Sequence, residues 1–186
     1  DHYEGKTLRL KQQYFLVSAS IQNIINDHVK RYGDLHTLPD YAAIHINDTH
    51  PAICVPELMR ILMDDHGFGW DEAWDVVTRT IAYTNHTVLV EALETWDLAL
   101  VQRTLPRITS IINEIDRRYR YVIGTMNPGD WNKINRMAVI NNNRIRMANL
   151  SVIASHTVNG VSALHSDIIK RSIFKDFYDV TPNKFT

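Results

Sequence analysis

Residues 82–93 read Ala-Tyr-Thr-Asn-His-Thr-Val-Leu-Val-Glu-Ala-Leu, and they separate two helical patterns around which the predicted fold is arranged. Apolar spacing predicts one helix over residues 71–81 and a second helix that starts at Glu91. Residues 83–87 then form the connection, which contains neither Gly nor Pro, whereas short connections are usually built from Gly, Asn, Asp or Pro. This connection carries a tyrosine ring, two threonine hydroxyls, an amide and an imidazole. Such groups suit recognition of a polyhydroxylated ligand through hydrogen bonds. The alternative is a junction whose polar side chains only cap the two helices.

A short apolar run at residues 42–46 is followed by Asn-Asp-Thr-His-Pro at residues 47–51. This order predicts a buried strand that leads through a polar turn into a helix. Ligands of open α/β sheets bind beyond the carboxyl ends of the strands, so Asp48 and His50 stand where a site is expected. The sequence therefore predicts an α/β fold that is mostly helical.

Three blocks resemble signature sequences of the glycogen, starch and maltodextrin phosphorylases, and they lie at residues 47–51, 83–87 and 155–161. The flanking residues 8–15, 56–60 and 173–178 match as well, in the same order along the chain. The resemblance implies that residues 1–186 are a single domain, the later part of the N-terminal Rossmann-like lobe of a two-lobed glycosyltransferase-B fold. It also implies a fragment from which the C-terminal cofactor lobe is absent.

The same resemblance implies an activity for the complete enzyme. It would cleave terminal α-1,4-glucosyl units of glycogen or maltodextrin with phosphate, giving glucose 1-phosphate. Pyridoxal phosphate is the implied cofactor, and its lysine would lie outside this chain, so no cofactor-binding residue is expected here. The implied partners are the glucan, phosphate, the missing C-terminal lobe and a second subunit of a homodimer. The fragment alone is expected to be inactive.

The resemblance also implies the site residues. His86 would be catalytic, with its imidazole on the glucosyl 6-hydroxyl and its main-chain carbonyl facing the developing positive charge. The implied substrate-binding residues are Asp48, His50, Asn85, Glu91, Asn159, Gly160 and Val161. Gly160 is expected in a turn that brings the backbone close to the sugar, a use for which glycine is suited. No metal ligand is expected.

Two positions depart from the family pattern. Val90 stands where the family usually has proline, which removes a restraint on the backbone before Glu91. Asn26 and Asp27 stand where nucleotide-activated members carry two arginines that grip the phosphate of AMP. Guanidinium groups hold phosphate best, so AMP activation at this position is not expected.

Composition excludes several classes of protein. The 186 residues carry 20 Lys and Arg against 21 Asp and Glu, a net charge of −1 that argues against a nucleic-acid partner. No apolar run approaches the length of a membrane span. Residues 1–6 lack an apolar signal core, and the single Cys54 cannot form an internal disulfide. A cytoplasmic location is therefore expected.

Helical periodicity predicts most other elements. A long helix is expected over residues 8–32, after a polar lead-in at 1–6 that the resemblance assigns to a mobile gating loop. Its predicted inward residues are Leu8, Phe15, Ile21, Ile25 and Val29. Further helices are expected from Pro51 to Gly67 and over residues 96–103, 106–122, 131–137 and 161–172, with residues 147–154 fitting a helix or a strand. The predicted core aromatics are Trp74, Trp96, Tyr119 and Trp131.

Two other functions stay open at this point. His45, Asp48 and His50 are residue types that bind zinc, as in a metal hydrolase, but a strand and turn is not the helix face of an H-E-x-x-H site. A non-catalytic helical interaction module is the alternative from another class. His156 and His165 are expected to be structural, held by local hydrogen bonds.

Overall fold

A computed structural model describes residues 2–186, and the statements below concern that range. The helices are α1 (Tyr3–Tyr32), α2 (Leu38–Tyr41), α3 (Cys54–Arg60), α4 (Trp70–Thr80), α5 (Leu98–Thr104), α6 (Pro106–Met126), α7 (Trp131–Met137), α8 (Met147–Ala154), α9 (Ala163–Arg171) and α10 (Lys175–Val180). The strands are β1 (Ile44–Asn47), β2 (Ile81–Asn85), β3 (Thr95–Asp97), β4 (Ile140–Asn141), β5 (Arg144–Arg146) and β6 (Thr157–Gly160). This mixture confirms the predicted α/β class, mostly helical, whereas the two-lobed arrangement stays a prediction.

A three-stranded parallel sheet in the order β1-β2-β6 forms the centre of the fold. Its middle strand β2 contains residues 83–85, so the predicted connection between two helices is wrong. The helix expected from Glu91 is only a 3-10 turn, Val90–Ala92. The first predicted helix is confirmed, because α4 ends at Thr80 and the chain passes directly into β2. His86 therefore follows the carboxyl end of a strand.

The two faces of the parallel sheet differ in character. Ile46, Tyr83 and Val158 are paired in register and point into the core, each with 0% of its surface exposed. Tyr83 packs against the ring of Phe174, with 6.2 Å between the ring centroids. The opposite side, here called the open face, carries the side chains of His45, Asn47, Thr84 and Asn159, which are half-buried or exposed. Parallel sheets are usually covered on both sides, so this polar face is a distinctive feature.

A small antiparallel sheet in the order β3-β5-β4 lies beside the helices. A tight turn joins β4 to β5 as a hairpin, with Asn142 and Asn143 at φ of 50° and 58°. Asparagine tolerates this left-handed conformation, which tight hairpin turns require. The ambiguous run at residues 147–154 is the helix α8, and all of its residues are buried.

The first helix begins earlier and faces a different way than the periodicity predicts. α1 starts at Tyr3, so residues 3–6 are helical rather than a loop, and Asp1 lies outside the described range. Ile21 and Ile25 are buried as predicted, but Leu8 is 56%, Phe15 77% and Val29 39% exposed. Leu10 and Val17 complete the buried stripe instead. Apolar residues lie all round this helix, which is why spacing alone selects the wrong ones.

Helix α3 is almost completely buried. It begins at Cys54 rather than Pro51, which lies in the preceding turn, and it continues as a π-helical segment over Ile61–Asp65. Gly67 ends it at a φ of 73°, as predicted. The Cys54 side chain is buried, and this desolvation raises the pKa of its thiol to about 12. Among residues 2–186, every helix is too short or too polar to cross a membrane.

Later elements follow the local patterns in part. α7 has the bounds predicted from its spacing, and α6 runs four residues beyond the predicted end, to Met126. The stretch predicted as a helix from Trp96 instead opens with strand β3 before α5. Trp96 is buried and Trp74 and Tyr119 are half-buried, but Trp131 is 71% exposed, so its predicted core position is wrong.

Candidate active site

The carboxyl ends of the three parallel strands bring together polar residues from three separate parts of the chain. Asp48 and His50 follow β1, His86 follows β2, and Asn159 and Gly160 end β6, with Val161 next. Residues at this edge of a sheet are typical ligand contacts. The sequence-based expectation for Asp48 and His50 rested on the same rule.

The imidazole of His86 is exposed and has a defined hydrogen-bond partner. Its Nε2 lies 2.6 Å from Oδ1 of Asn47, the last residue of β1. An amide oxygen only accepts hydrogen bonds, so Nε2 donates. The neutral ring then presents Nδ1 as an acceptor at the edge of the sheet.

The main chain around His86 is fixed from both sides. The Asn85 amide is buried, where its Oδ1 accepts from the backbone N–H of Thr87 (2.9 Å) and its Nδ2 donates to the Tyr83 hydroxyl (2.9 Å). The carbonyl of Thr87 lies 3.1 Å from Nε2 of His165, whose Nδ1 accepts from the Val161 N–H at 3.0 Å. His165 is therefore held by hydrogen bonds, as predicted. Asn85 supports the backbone from within the core.

Asp48 turns the chain after β1 through an uncommon conformation. Its φ is 63°, a left-handed value that Asp tolerates better than most residues. Its N–H donates to the carbonyl of Thr84 (3.0 Å), and its Oδ1 accepts from the N–H of Thr49 (2.6 Å). Oδ2 is left facing His50, 3.7 Å from that ring's Nε2. The turn thus directs one carboxylate oxygen along the edge of the sheet.

Glu94 joins this group, although no pattern in the sequence identified it as a site residue. One carboxylate oxygen lies 3.5 Å from Nδ1 of His50, and the other is buried without a hydrogen-bond partner. An unsatisfied buried acceptor is costly to the folded state. Glu91 lies nearby in sequence, in the exposed turn Val90–Ala92.

A row of hydrogen bonds crosses the open face from β1 to β6. Thr84 donates to Oδ1 of Asn159 (2.9 Å), so its hydroxyl oxygen accepts from Nε2 of His45 at 2.6 Å. Asn159 donates one amide hydrogen to the carbonyl of Gly160 (2.8 Å). The sequence could not reveal this row, because it depends on the register of β1, β2 and β6.

Gly160 ends a strand rather than forming the expected turn. A Cβ at this position would lie 2.7 Å from Nδ1 of His165 and 2.8 Å from the backbone nitrogen of Ser166. The Gly160 N–H also donates to the Ser166 hydroxyl at 2.9 Å. Within the described residues, glycine is thus required by the close approach of helix α9.

Lys184 allows a test of whether this chain could itself hold pyridoxal phosphate. Desolvation lowers its pKa to about 8, a property of lysines that form Schiff bases. Its Nζ, however, donates to the carbonyls of Val152 (2.9 Å) and Ile153 (3.3 Å) in the last turn of α8. The amine caps a helix and does not fit the cofactor. Across residues 2–186, no group of three or more His, Cys, Asp or Glu side chains is arranged to hold a metal ion.

Comparisons with known proteins match the chain to one family over its whole length. The family model described as carbohydrate phosphorylase matches residues 1–186. The glycogen phosphorylase of Bacillus subtilis (strain 168) is 49% identical over 184 residues, which are 99% of this chain and 23% of that protein. Alpha-glucan phosphorylase 2, cytosolic, of Arabidopsis thaliana is 50% identical, with 97% and 23% covered. The brain form of glycogen phosphorylase of Mus musculus is 48% identical, with 98% and 23% covered. The chain thus spans 23% of the length of these curated relatives.

Proposed function

This chain belongs to the carbohydrate phosphorylase family, and from that premise we propose that it forms part of an α-glucan phosphorylase. The complete enzyme transfers the terminal α-1,4-linked glucosyl unit of a glucan to phosphate and releases glucose 1-phosphate. The observation that best supports a role in the site is the orientation of His86, whose Nδ1 is left free to accept at the edge of the sheet.

His86 has two roles in this proposal. Its Nδ1 accepts a hydrogen bond from the 6-hydroxyl of the glucosyl unit. Its main-chain carbonyl faces the positive charge that develops on the glucosyl ring. Glycosyl transfer passes through an oxocarbenium-like transition state, which fixed electron-rich groups stabilise. The hydrogen bonds of Thr87 to Asn85 and His165 hold this peptide still, which reduces reorganisation during the reaction.

The remaining residues form the wall of the sugar site. Asp48, His50 and Glu94 offer acceptors and an imidazole to sugar hydroxyls, and Asn159 has a second amide hydrogen to donate. Asn85, Glu91, Gly160 and Val161 complete the proposed substrate-binding set. In this proposal Asn85 supports the sugar site from within the core, since its side chain is buried.

The cofactor and the partners are part of the same proposal. Pyridoxal phosphate, held in the complete enzyme by a lysine outside these residues, would supply the phosphate chemistry. The complete enzyme acts as a homodimer on glucan and phosphate. The name of the Arabidopsis relative includes "cytosolic", and we assign this protein to the same compartment.

A site-directed assay of the complete enzyme tests the proposal. His86→Ala should lower kcat/KM for glucose 1-phosphate release from maltodextrin by roughly a hundredfold, because it removes a transition-state hydrogen bond. His156→Ala is the matched control, since His156 is exposed and bonds to the adjacent Thr157 hydroxyl (2.8 Å). A loss below threefold for His86→Ala would show that the site is misassigned. Residues 1–186 alone, given pyridoxal phosphate, should show no turnover, and activity there would contradict the need for a second lobe.

A further inference from the structure

We propose that Asn47 positions His86, by holding its ring so that Nδ1 accepts from the sugar rather than donates. This inference rests on the proposed function, because the hydroxyl in question is that of the bound glucosyl unit. It assigns a specificity role to a residue that touches the histidine and not the substrate.

The geometry is set by the sheet. Asn47 pairs with Thr84 in the parallel register, so its side chain stands on the open face. Thr84 lies on the neighbouring strand β2, and His86 follows it by two residues, just beyond the end of that strand. The amide Oδ1 and the imidazole Nε2 lie 2.6 Å apart. The bond therefore joins the ends of β1 and β2, and both partners are exposed.

The chemical consequence is a fixed proton position. An exposed imidazole is otherwise free to rotate about χ2 and to exchange its proton between the two nitrogens. A hydrogen bond to an amide oxygen requires a proton on Nε2, so the lone pair of the neutral ring stays on Nδ1. A primary hydroxyl of a sugar can then donate to a nitrogen that already points toward it, which is the condition for preorganised binding.

The open face offers a matched comparison two residues upstream. His45 lies on the same strand and the same face, and its Nε2 bonds to the Thr84 hydroxyl at 2.6 Å. Its hydrogen-bond row leads to Asn159 and not to His86. Substitution of His45 therefore perturbs the same face without touching the His86 ring.

Two donor substrates separate a positioning role from a structural one. In the complete enzyme run in the synthetic direction, Asn47→Ala should lower kcat/KM for glucose 1-phosphate about tenfold, the value of one ordinary hydrogen bond. The same variant should change kcat/KM for 6-deoxyglucose 1-phosphate by less than about twofold, because the hydroxyl that His86 holds is missing. Asn47→Asp should restore activity, since a carboxylate also accepts from Nε2. His45→Ala should affect both donors equally.

An equal loss with both donors, or no loss with either, would overturn the role of Asn47. A second measurement uses residues 1–186 without any substrate: long-range ¹H–¹⁵N imidazole spectra should show His86 with its proton on Nε2. A proton found on Nδ1 would overturn the inference as well. If the wild-type enzyme transfers no glucosyl unit, the proposed function fails, while the imidazole spectra still report on the Asn47–His86 bond.

Discussion

Gly160 and His165 are in such close contact that a methyl group on the glycine would lie 2.7 Å from the ring nitrogen Nδ1. The same ring accepts the N–H of Val161 and donates toward the carbonyl of Thr87. One buried histidine thus joins the end of β6 to the segment that follows His86. The spacing between the end of β6 and helix α9 determines how the residues of the candidate site are held.

Gly160→Ala should destabilise the chain by about 1–3 kcal/mol, the usual cost of adding a methyl group to a closely packed position. Urea unfolding followed by circular dichroism measures this change. Gly5→Ala is the control, since Gly5 lies within α1 and a Cβ added there would meet no atom within 4 Å. That substitution should stabilise by roughly 0.5–1 kcal/mol. Equal effects of the two substitutions would show that α9 moves away without cost.

Arg60→Ala should be among the most destabilising substitutions at a partly exposed position. Arg60 pairs with the carboxylate of Glu57, which is 0% exposed and also accepts from the Tyr14 hydroxyl at 3.1 Å. Without the guanidinium a buried charge remains, at a cost of about 3–5 kcal/mol in unfolding free energy.

The control for Arg60 is Arg117→Ala, which removes a solvent-exposed pair with Glu114 from the surface of α6 and should cost far less than the loss of Arg60. Glu57→Gln in the Arg60→Ala background should recover part of the loss, because an amide carries no charge. A loss at Arg60 no larger than that at Arg117 would mean that water reaches Glu57.

His36 should make stability depend on pH. Its ring nitrogens lie 2.9 Å from Glu72 and 2.8 Å from Asp34, and these two carboxylates raise the pKa of the imidazole. The stabilisation is complete below the unfolded pKa of about 6.5 and disappears as pH rises through the raised folded value. The stability gap between wild type and His36→Gln should therefore be larger at about pH 5.5 than at about pH 8.5. Urea midpoints at both values measure it, and a gap independent of pH would contradict the prediction.

The enzyme should show no activation by AMP through the surface of α1. Asn26 and Asp27 are exposed there, and Asp27 is already paired with Arg31 at 3.1 Å. A neutral amide and a carboxylate do not hold a phosphate dianion, and a ligand without differential affinity shifts no equilibrium. Assays at limiting phosphate across a range of AMP test this. Saturable activation that is abolished by substituting Asn26 or Asp27 would refute it.

Local patterns in the sequence predicted most of the helices and the strand β1, but they did not predict the strand β2. The helical spacing of apolar residues was enough to predict α4 and α7. β2 has the period of a strand, with Ile81, Tyr83 and Asn85 buried. Its polar residues hide that pattern, because the open face requires no apolar side chain. The strand becomes evident only when β1 and β6 are placed beside it.

Some residues of the candidate site could be predicted from the sequence, and others could not. Asp48 and His50 could be identified because they follow an apolar run, and that rule needs no knowledge of pairing. Asn47 and Glu94 could not, since their importance comes from contacts with His86 and His50 across the sheet edge. The need for glycine at position 160 could not be predicted either. The atoms that would clash with a Cβ there belong to helix α9, which follows Gly160 in the chain.

The enclosure of Cys54 has a practical consequence for measuring motion. A thiol reagent attacks the thiolate of an accessible cysteine, and here the pKa is raised to about 12 by a buried position in α3. Labelling must therefore wait until that part of the core opens. Because this is the single cysteine of the chain, the rate of its modification reports how often the interior becomes accessible, with no engineered probe. The same native residue can rank the opening rates of any variant that leaves α3 unchanged.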